Sequence, residues 1–219
     1  MSLKQQFLNI KSSLPEHVQL VAVSKTHPAQ AIREVYEAGH KVFGENKVQE
    51  LVEKSQVLPS DIQWHLIGHL QTNKVKYIAP FVHTVQSVDS EKLIAEIDRQ
   101  AAKHNRRINV LLQVKIAEED TKSGLATSET EIIFDQWLSG KWPHVEIRGL
   151  MGMATFTENE VQIRREFGAL KQLFDKLNTS HPLETLSMGM SGDYELAIAC
   201  GANSVRIGSA IFGSRSKQS

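Results

Sequence analysis

Leu20-Val21-Ala22-Val23-Ser24-Lys25 is a run of four apolar residues with no polar break, ending in a serine and a lysine. A strand with one wet face alternates apolar and polar residues, whereas a strand covered on both faces does not. The run therefore predicts a buried parallel strand with Lys25 at its carboxyl end. An amine there can act as a Schiff-base nucleophile when desolvation or a neighbouring cation disfavours its charged form. A strand-end lysine also reads as a side chain snorkelling into water. The segment alone leaves both readings open.

Upstream, Leu3, Phe7, Leu8, Ile10 and Leu14 form roughly one helical face that Pro15 closes, so a helix precedes the first strand. Downstream the alternation repeats. A helix runs to about Ala38 with Gly39 as its C-cap, a short strand spans 41–43 and ends at Gly44-Glu45-Asn46, and a charged helix runs to about Gln56. A strand over 62–67 leads to a helix from about Thr72. A strand over 82–85 leads to a helix over 90–104, with Ser90 and Glu91 at its start. The β-branched stretch 108–116 opens into the polar loop 118–124, followed by a helix over 128–138. A strand over 145–151 and the longest helix, 159–177, come next. Two short strands, 185–188 and 204–207, each precede a small-residue turn and a helix start.

Eight strand-then-helix units without a linker or low-complexity segment predict an α/β fold. The reading is a single (β/α)8 TIM barrel over 1–219 with an extra N-terminal helix, and an open doubly wound sheet is the runner-up. In both, reactive groups gather at the carboxyl ends of the strands. At 219 residues and 41% hydrophobic, the chain suits one such barrel. Its 25 basic and 25 acidic residues are interspersed with zero net charge, which argues against nucleic-acid and anionic-membrane partners. The N-terminus lacks an apolar signal region and no run reaches the length of a membrane span, so a soluble cytoplasmic protein is expected. Cys200 is the single cysteine, excluding an internal disulfide and a cysteine-rich metal site.

Two turns near the C-terminus suit phosphate. Met190-Ser191-Gly192 precedes a helix over 194–199, and Ile207-Gly208-Ser209-Ala210 starts a final helix. Each offers small residues, backbone N–H groups and a hydroxyl at a helix start, after the seventh and eighth strands, where barrels hold phosphate. Ordinary caps and turns would also use Ser191, Ser209 and these glycines. Arg206 ends an apolar strand and points a guanidinium into the mouth that Lys25 faces, with a structural salt bridge as the alternative. An amine, a phosphate cradle and a partner for a ring nitrogen are together what pyridoxal 5'-phosphate requires. Arginine accepts no proton from that nitrogen and leaves the ring a weaker electron sink than an aspartate would.

Three early segments, Val23-Ser24-Lys25-Thr26, Phe43-Gly44-Glu45-Asn46 with Gln49-Glu50, and Trp64 to Lys74, resemble the signatures of the pyridoxal phosphate homeostasis protein family. Gly149 to Met153, Leu186 to Ser191 with Asp193 and Glu195, and Val205 to Gly213 continue the resemblance in order and spacing over almost the whole chain. Leu66 and Gly192 depart from it, standing where a bulkier and a polar residue are expected. The resemblance implies a barrel like the N-terminal domain of alanine racemases, carrying pyridoxal 5'-phosphate as an aldimine on Lys25. By the same implication Arg206 faces the ring nitrogen, Ser191, Gly192, Gly208 and Ser209 hold the phosphate, and Asn46 lies near the cofactor.

Other candidates are weaker. His65 and His69 have the spacing of a helical metal pair, but they straddle a strand end without a third ligand and read as packed or loop histidines, so no metal is expected. Lys115, near the end of the fifth strand, is the rival Schiff-base amine of an aldolase-like barrel. Met151, Met153, Met188 and Met190 read as packing at the barrel mouth. In the alanine racemase resemblance, one catalytic base comes from a C-terminal β-domain acting across a dimer, and this sequence stops at Ser219. The expectation is accordingly a monomeric carrier without catalytic residues, which buffers pyridoxal phosphate or delivers it to apo-enzymes. A small racemase is the alternative.

Overall fold

Leu20, Val21, Ala22 and Val23 are all buried, as an unbroken apolar run requires, and form β1 (Gln19–Val23). The computed structural model describes residues 1–119 and 123–213. Seven further strands follow: β2 (Val42–Glu45), β3 (Gln63–Leu66), β4 (Thr84–Val88), β5 (Ile108–Gln113), β6 (Val145–Met151), β7 (Thr185–Met190) and β8 (Ser204–Ile207). They pair in parallel in chain order. β8 returns to β1 with Gln19 opposite Ser204 and Ala22 opposite Ile207, so the sheet closes into a barrel rather than remaining open.

The extra helix α1 (Leu3–Ser13) is capped by Ser2, whose hydroxyl accepts from the Gln5 N–H. It packs against α2 (Ala29–Glu37). Phe7, its buried residue, meets the His40 ring at 5.2 Å, His40 meets Phe43 of β2 at 5.3 Å, and Phe43 meets Trp64 of β3 at 6.1 Å. This aromatic file joins α1 to the outer face of the sheet, and truncating one such buried phenylalanine to alanine costs about 3–5 kcal/mol. The remaining helices are α3 (Val48–Val57), α4 (Val75–Ile78), α5 (Glu91–Lys103), α6 (Thr127–Leu138), α7 (Glu160–Asn178), α8 (Tyr194–Ala199) and α9 (Ser209–Phe212). Ser90 and Asn159 cap α5 and α7 by accepting from Leu93 N and Gln162 N. Gly149 lets β6 and β7 approach closely, since a Cβ there would stand 1.8 Å from the Thr185 carbonyl oxygen.

Several boundaries differ from the sequence reading. The fourth strand is 84–88, not 82–85. Phe81 and Val82 donate to the Ile78 carbonyl and stay with the end of α4, while Gln86 and Ser87 are buried inside the sheet, where their polarity hides them from a search for apolar runs. β2 continues to Glu45, which pairs with Leu66 of β3 and whose carboxylate is buried and ion-paired. The helix expected from Thr72 is a 3-10 turn (Thr72–Lys74) followed by one turn of α4. β5 ends at Gln113, after which Val114 bridges to Leu125, and β7 runs on to Met190. Residues 120–122 of the polar loop, and 214–219 of the expected domain, lie outside the described residues. Among the described residues no helix is long and apolar enough to cross a membrane.

Candidate functional site

At the carboxyl ends of the strands lies a cavity of about 600 Å³. Lys25 and Asn46 reach it just beyond β1 and β2, Arg206 reaches it from β8, and Ser191, Gly192, Gly208 and Ser209 reach it from the turns after β7 and β8. All seven residues singled out in the sequence thus line one space. Its described lining contains no carboxylate. Lysine, arginine, hydroxyls and turn N–H groups make it receptive to an anion.

The two phosphate-type turns are tied together, because the Gly208 N–H donates to Ser191 Oγ at 3.3 Å. Ser191 is therefore not the cap of α8, whose N-cap is Asp193. Asp193 shapes the turn by accepting from the Met190 N–H at 2.6 Å. Ser209 opens α9, whose first N–H groups have no partner within the helix. Gly208 allows close packing beneath the turn, where a Cβ would stand 3.1 Å from the Val23 carbonyl oxygen.

Arg206 is buried, and burial lowers its pKa to about 10, with Asp193 opposing the shift, so it stays charged at neutral pH. Its Nη2 donates to the Gly152 carbonyl at 3.0 Å and its Nη1 to Ser187 Oγ at 2.6 Å. From there a line of hydrogen bonds crosses the barrel interior. Guanidinium can only donate, so the Ser187 hydroxyl passes its own hydrogen to Gln86 Oε1 at 2.7 Å, and Gln86 Nε2 donates to His65 Nδ1 at 2.8 Å. This order leaves the His65 proton on Nε2, a buried atom without a hydrogen-bond partner among the described residues. Burial first, then the nearby His83, lower the His65 pKa to about 3. His65 is thus a neutral packed histidine stacked on His83 at 5.5 Å. Among the described residues no group of three or more His, Cys, Asp or Glu side chains is arranged to hold a metal.

Lys115 is exposed and does not line the cavity. Met153 and Met190 line it, while Met151 and Met188 are fully buried in β6 and β7. Sequence reading missed His27 and Phe156, which also line the cavity. His27 stacks on Phe212 at 5.1 Å, and its pKa is lowered by burial and then by Lys54. The signal for Phe156 was weak, a lone aromatic in a polar loop. The roles of Ser187 and Gln86 were also missed, although polar residues inside apolar strands were the sign.

A parallel barrel whose mouth presents an amine, a buried guanidinium and two small-residue turns is a ligand-binding (β/α)8 barrel with an anion-receptive site. The family described as "Alanine racemase, N-terminal domain" matches residues 1–216. Pyridoxal phosphate homeostasis proteins of Aquifex aeolicus and Pasteurella multocida are 42% and 40% identical to it, each alignment covering 90% of this chain and 87% of the relative. The chain belongs to the pyridoxal phosphate homeostasis protein family. Two structures of PipY of Synechococcus elongatus, without and with PLP bound, superpose with TM-scores of 0.90 and 0.86 at 37% and 35% identity. They cover 97% of this chain and 100% of PipY. An alanine racemase of Clostridium difficile shares the fold at 14% identity, with a TM-score of 0.81 over 99% of this chain and 57% of its own.

Proposed function

We propose that this chain binds pyridoxal 5'-phosphate through a Schiff base on Lys25 and serves intracellular cofactor homeostasis by buffering the cofactor or delivering it to apo-enzymes. The observation that carries this reading is the convergence of Lys25, Arg206 and the two linked turns on one cavity whose described lining has no carboxylate. The names of the relatives and the PLP-bound PipY structure support it. The donor set fits the cofactor. Ser191, Gly192, Gly208 and Ser209 suit its phosphate, Arg206 its ring nitrogen, Lys25 its aldehyde, and Asn46 a position beside it.

When bound, the cofactor supplies an aldehyde for amines and an electron-withdrawing ring. Arg206 is already oriented by Ser187 and Gly152 and can offer the ring nitrogen a hydrogen bond but take no proton from it. The turn N–H groups would donate to the phosphate and stabilise its charge. We read the whole chain as one binding domain with this single task.

The test is equilibrium binding of pyridoxal 5'-phosphate followed by mixing with an apo-enzyme that requires it. The carrier reading expects saturable binding and transfer that restores the acceptor's activity. Rapid solvent-deuterium exchange at Cα of an added amino acid, lost in Lys25→Ala, would replace it with the racemase reading.

A further inference from the structure

Lys25 faces the cavity, but the groups that fix its backbone stand outside it, between the barrel and α3. Lys25 lies two residues past the end of β1, and the next residue, Thr26, has φ +68°. That is the left-handed region, strained for a β-branched side chain, and such strain persists only where surrounding contacts over-determine the conformation. The contacts are present on both sides of Lys25. The Ser24 carbonyl accepts from Lys54 Nζ at 2.8 Å, and the Thr26 N–H donates to Glu50 Oε1 at 2.5 Å.

These two anchors belong to one ion cluster. Lys54 Nζ also donates to Glu45 Oε1 and to Glu50 Oε1, both at 2.7 Å, which uses all three ammonium hydrogens. The Ser24 hydroxyl donates to Glu45 Oε1 at 2.6 Å. The side chains of Lys54 and Glu45 are 8% and 0% exposed. Burying ions is costly, and well-packed apolar residues often serve stability as well or better. Stability alone is therefore a weak reason for this cluster, whereas its geometry supplies a specific one. The backbone groups held by the Lys54 and Glu50 side chains are the carbonyl immediately before Lys25 and the N–H immediately after it.

We infer that Lys54 and Glu50 are positioning residues, which clamp the two peptide groups flanking Lys25 and so hold its amine where an aldehyde ligand in the cavity can be captured. The inference rests on the reading of Lys25 given above. Glu45 supports the clamp from β2 by pairing with Lys54 and the Ser24 hydroxyl.

The experiment compares wild type, Glu50→Ala and Glu50→Gln. Each is incubated with pyridoxal 5'-phosphate, reduced with borohydride after timed intervals and mapped by peptide mass, and folding is followed by circular dichroism. A clamp predicts that folded Glu50→Ala captures the cofactor on Lys25 about ten- to hundredfold more slowly, because a misplaced reacting group forfeits that much. Glu50→Gln keeps an oxygen to accept from Thr26 and recovers most of the rate. Capture at the wild-type rate by folded Glu50→Ala overturns the inference and leaves the cluster a structural role.

Amide hydrogen exchange on the unmodified protein tests the clamp without any substitution, so it decides even if Glu50→Ala fails to fold. A protected Thr26 N–H supports it, and exchange at the rate of an open loop overturns it. Absence of label on wild-type Lys25 would instead overturn the reading of Lys25 as the cofactor amine, an outcome separate from both.

Discussion

Arg206 and Lys25 face one cavity from paired strands, β8 and β1, yet they are held by opposite kinds of support. Behind Arg206 runs a line of neutral partners inside the barrel, Ser187, Gln86 and His65, in which every hydrogen has a fixed direction because the line begins at a group that can only donate. Beside Lys25 stands an ion cluster outside the barrel, Glu45, Lys54 and Glu50, whose charges bind from several directions at once. The first device sets an orientation and a tautomer. The second sets a backbone position.

The comparison breaks most sharply at Lys54. Lys54→Met leaves the buried Glu45 carboxylate uncompensated, and losing one partner of such a pair costs about 3–5 kcal/mol. Urea denaturation should show a loss of that size, and a change below 1 kcal/mol would mean the cluster is far wetter than its burial implies.

Acid should act on two packed histidines, His65 in the neutral line and His40 in the aromatic file beside α1. The ordinary histidine pKa is 6.5, while burial lowers His65 to about 3 and His40 to about 4. Below pH 6.5 the unfolded chain takes up protons that the folded chain refuses, so stability is present above 6.5 and lost as pH falls toward 3 to 4. Each histidine contributes a slope approaching about 1.4 kcal/mol per pH unit. Urea melts at pH 7.5 and 5.5 should differ in this sense, and His65→Gln should flatten the difference.

Gln86→Leu removes the middle link and strands Ser187 and His65. An expected loss of about 1–3 kcal/mol for each of these two unsatisfied buried groups follows, with no change in the Thr26 amide exchange that reports on the ionic side. Coupling between the two would show that the supports are not independent. At the small end, Gly192→Ala should be nearly silent in thermal melts, since its Cβ would meet nothing within 4 Å, whereas Gly208→Ala requires Val23 to give by a few tenths of an ångström.

Much of the frame was readable in the chain itself. Strands β6 and β8 and helix α8 fall where the sequence reading sets them, because turn-forming residues bound each one: Pro143 and Gly152, Asn203 and Gly208, and Gly192 and Gly201. The seven candidate residues sit at strand ends and small-residue turns, positions that a barrel brings together whatever its details. The supports were less legible. Lys54 lies on a segment that reads only as a charged helix, and its partners are 4, 9 and 30 residues away, so only the folded barrel places them in contact. β4 was misplaced for a related reason, since a buried glutamine joined to Ser187 across 101 residues has no local signature.

Lys25 is the residue on which the proposed cofactor binding turns. Borohydride reduction of the purified protein, after incubation with pyridoxal 5'-phosphate and with the visible spectrum recorded before and after, should bleach a yellow protein and leave a reduced pyridoxyl phosphate on the peptide containing Lys25. A colourless protein with no label on Lys25, or a label on Lys115 that survives Lys25→Ala, would contradict it.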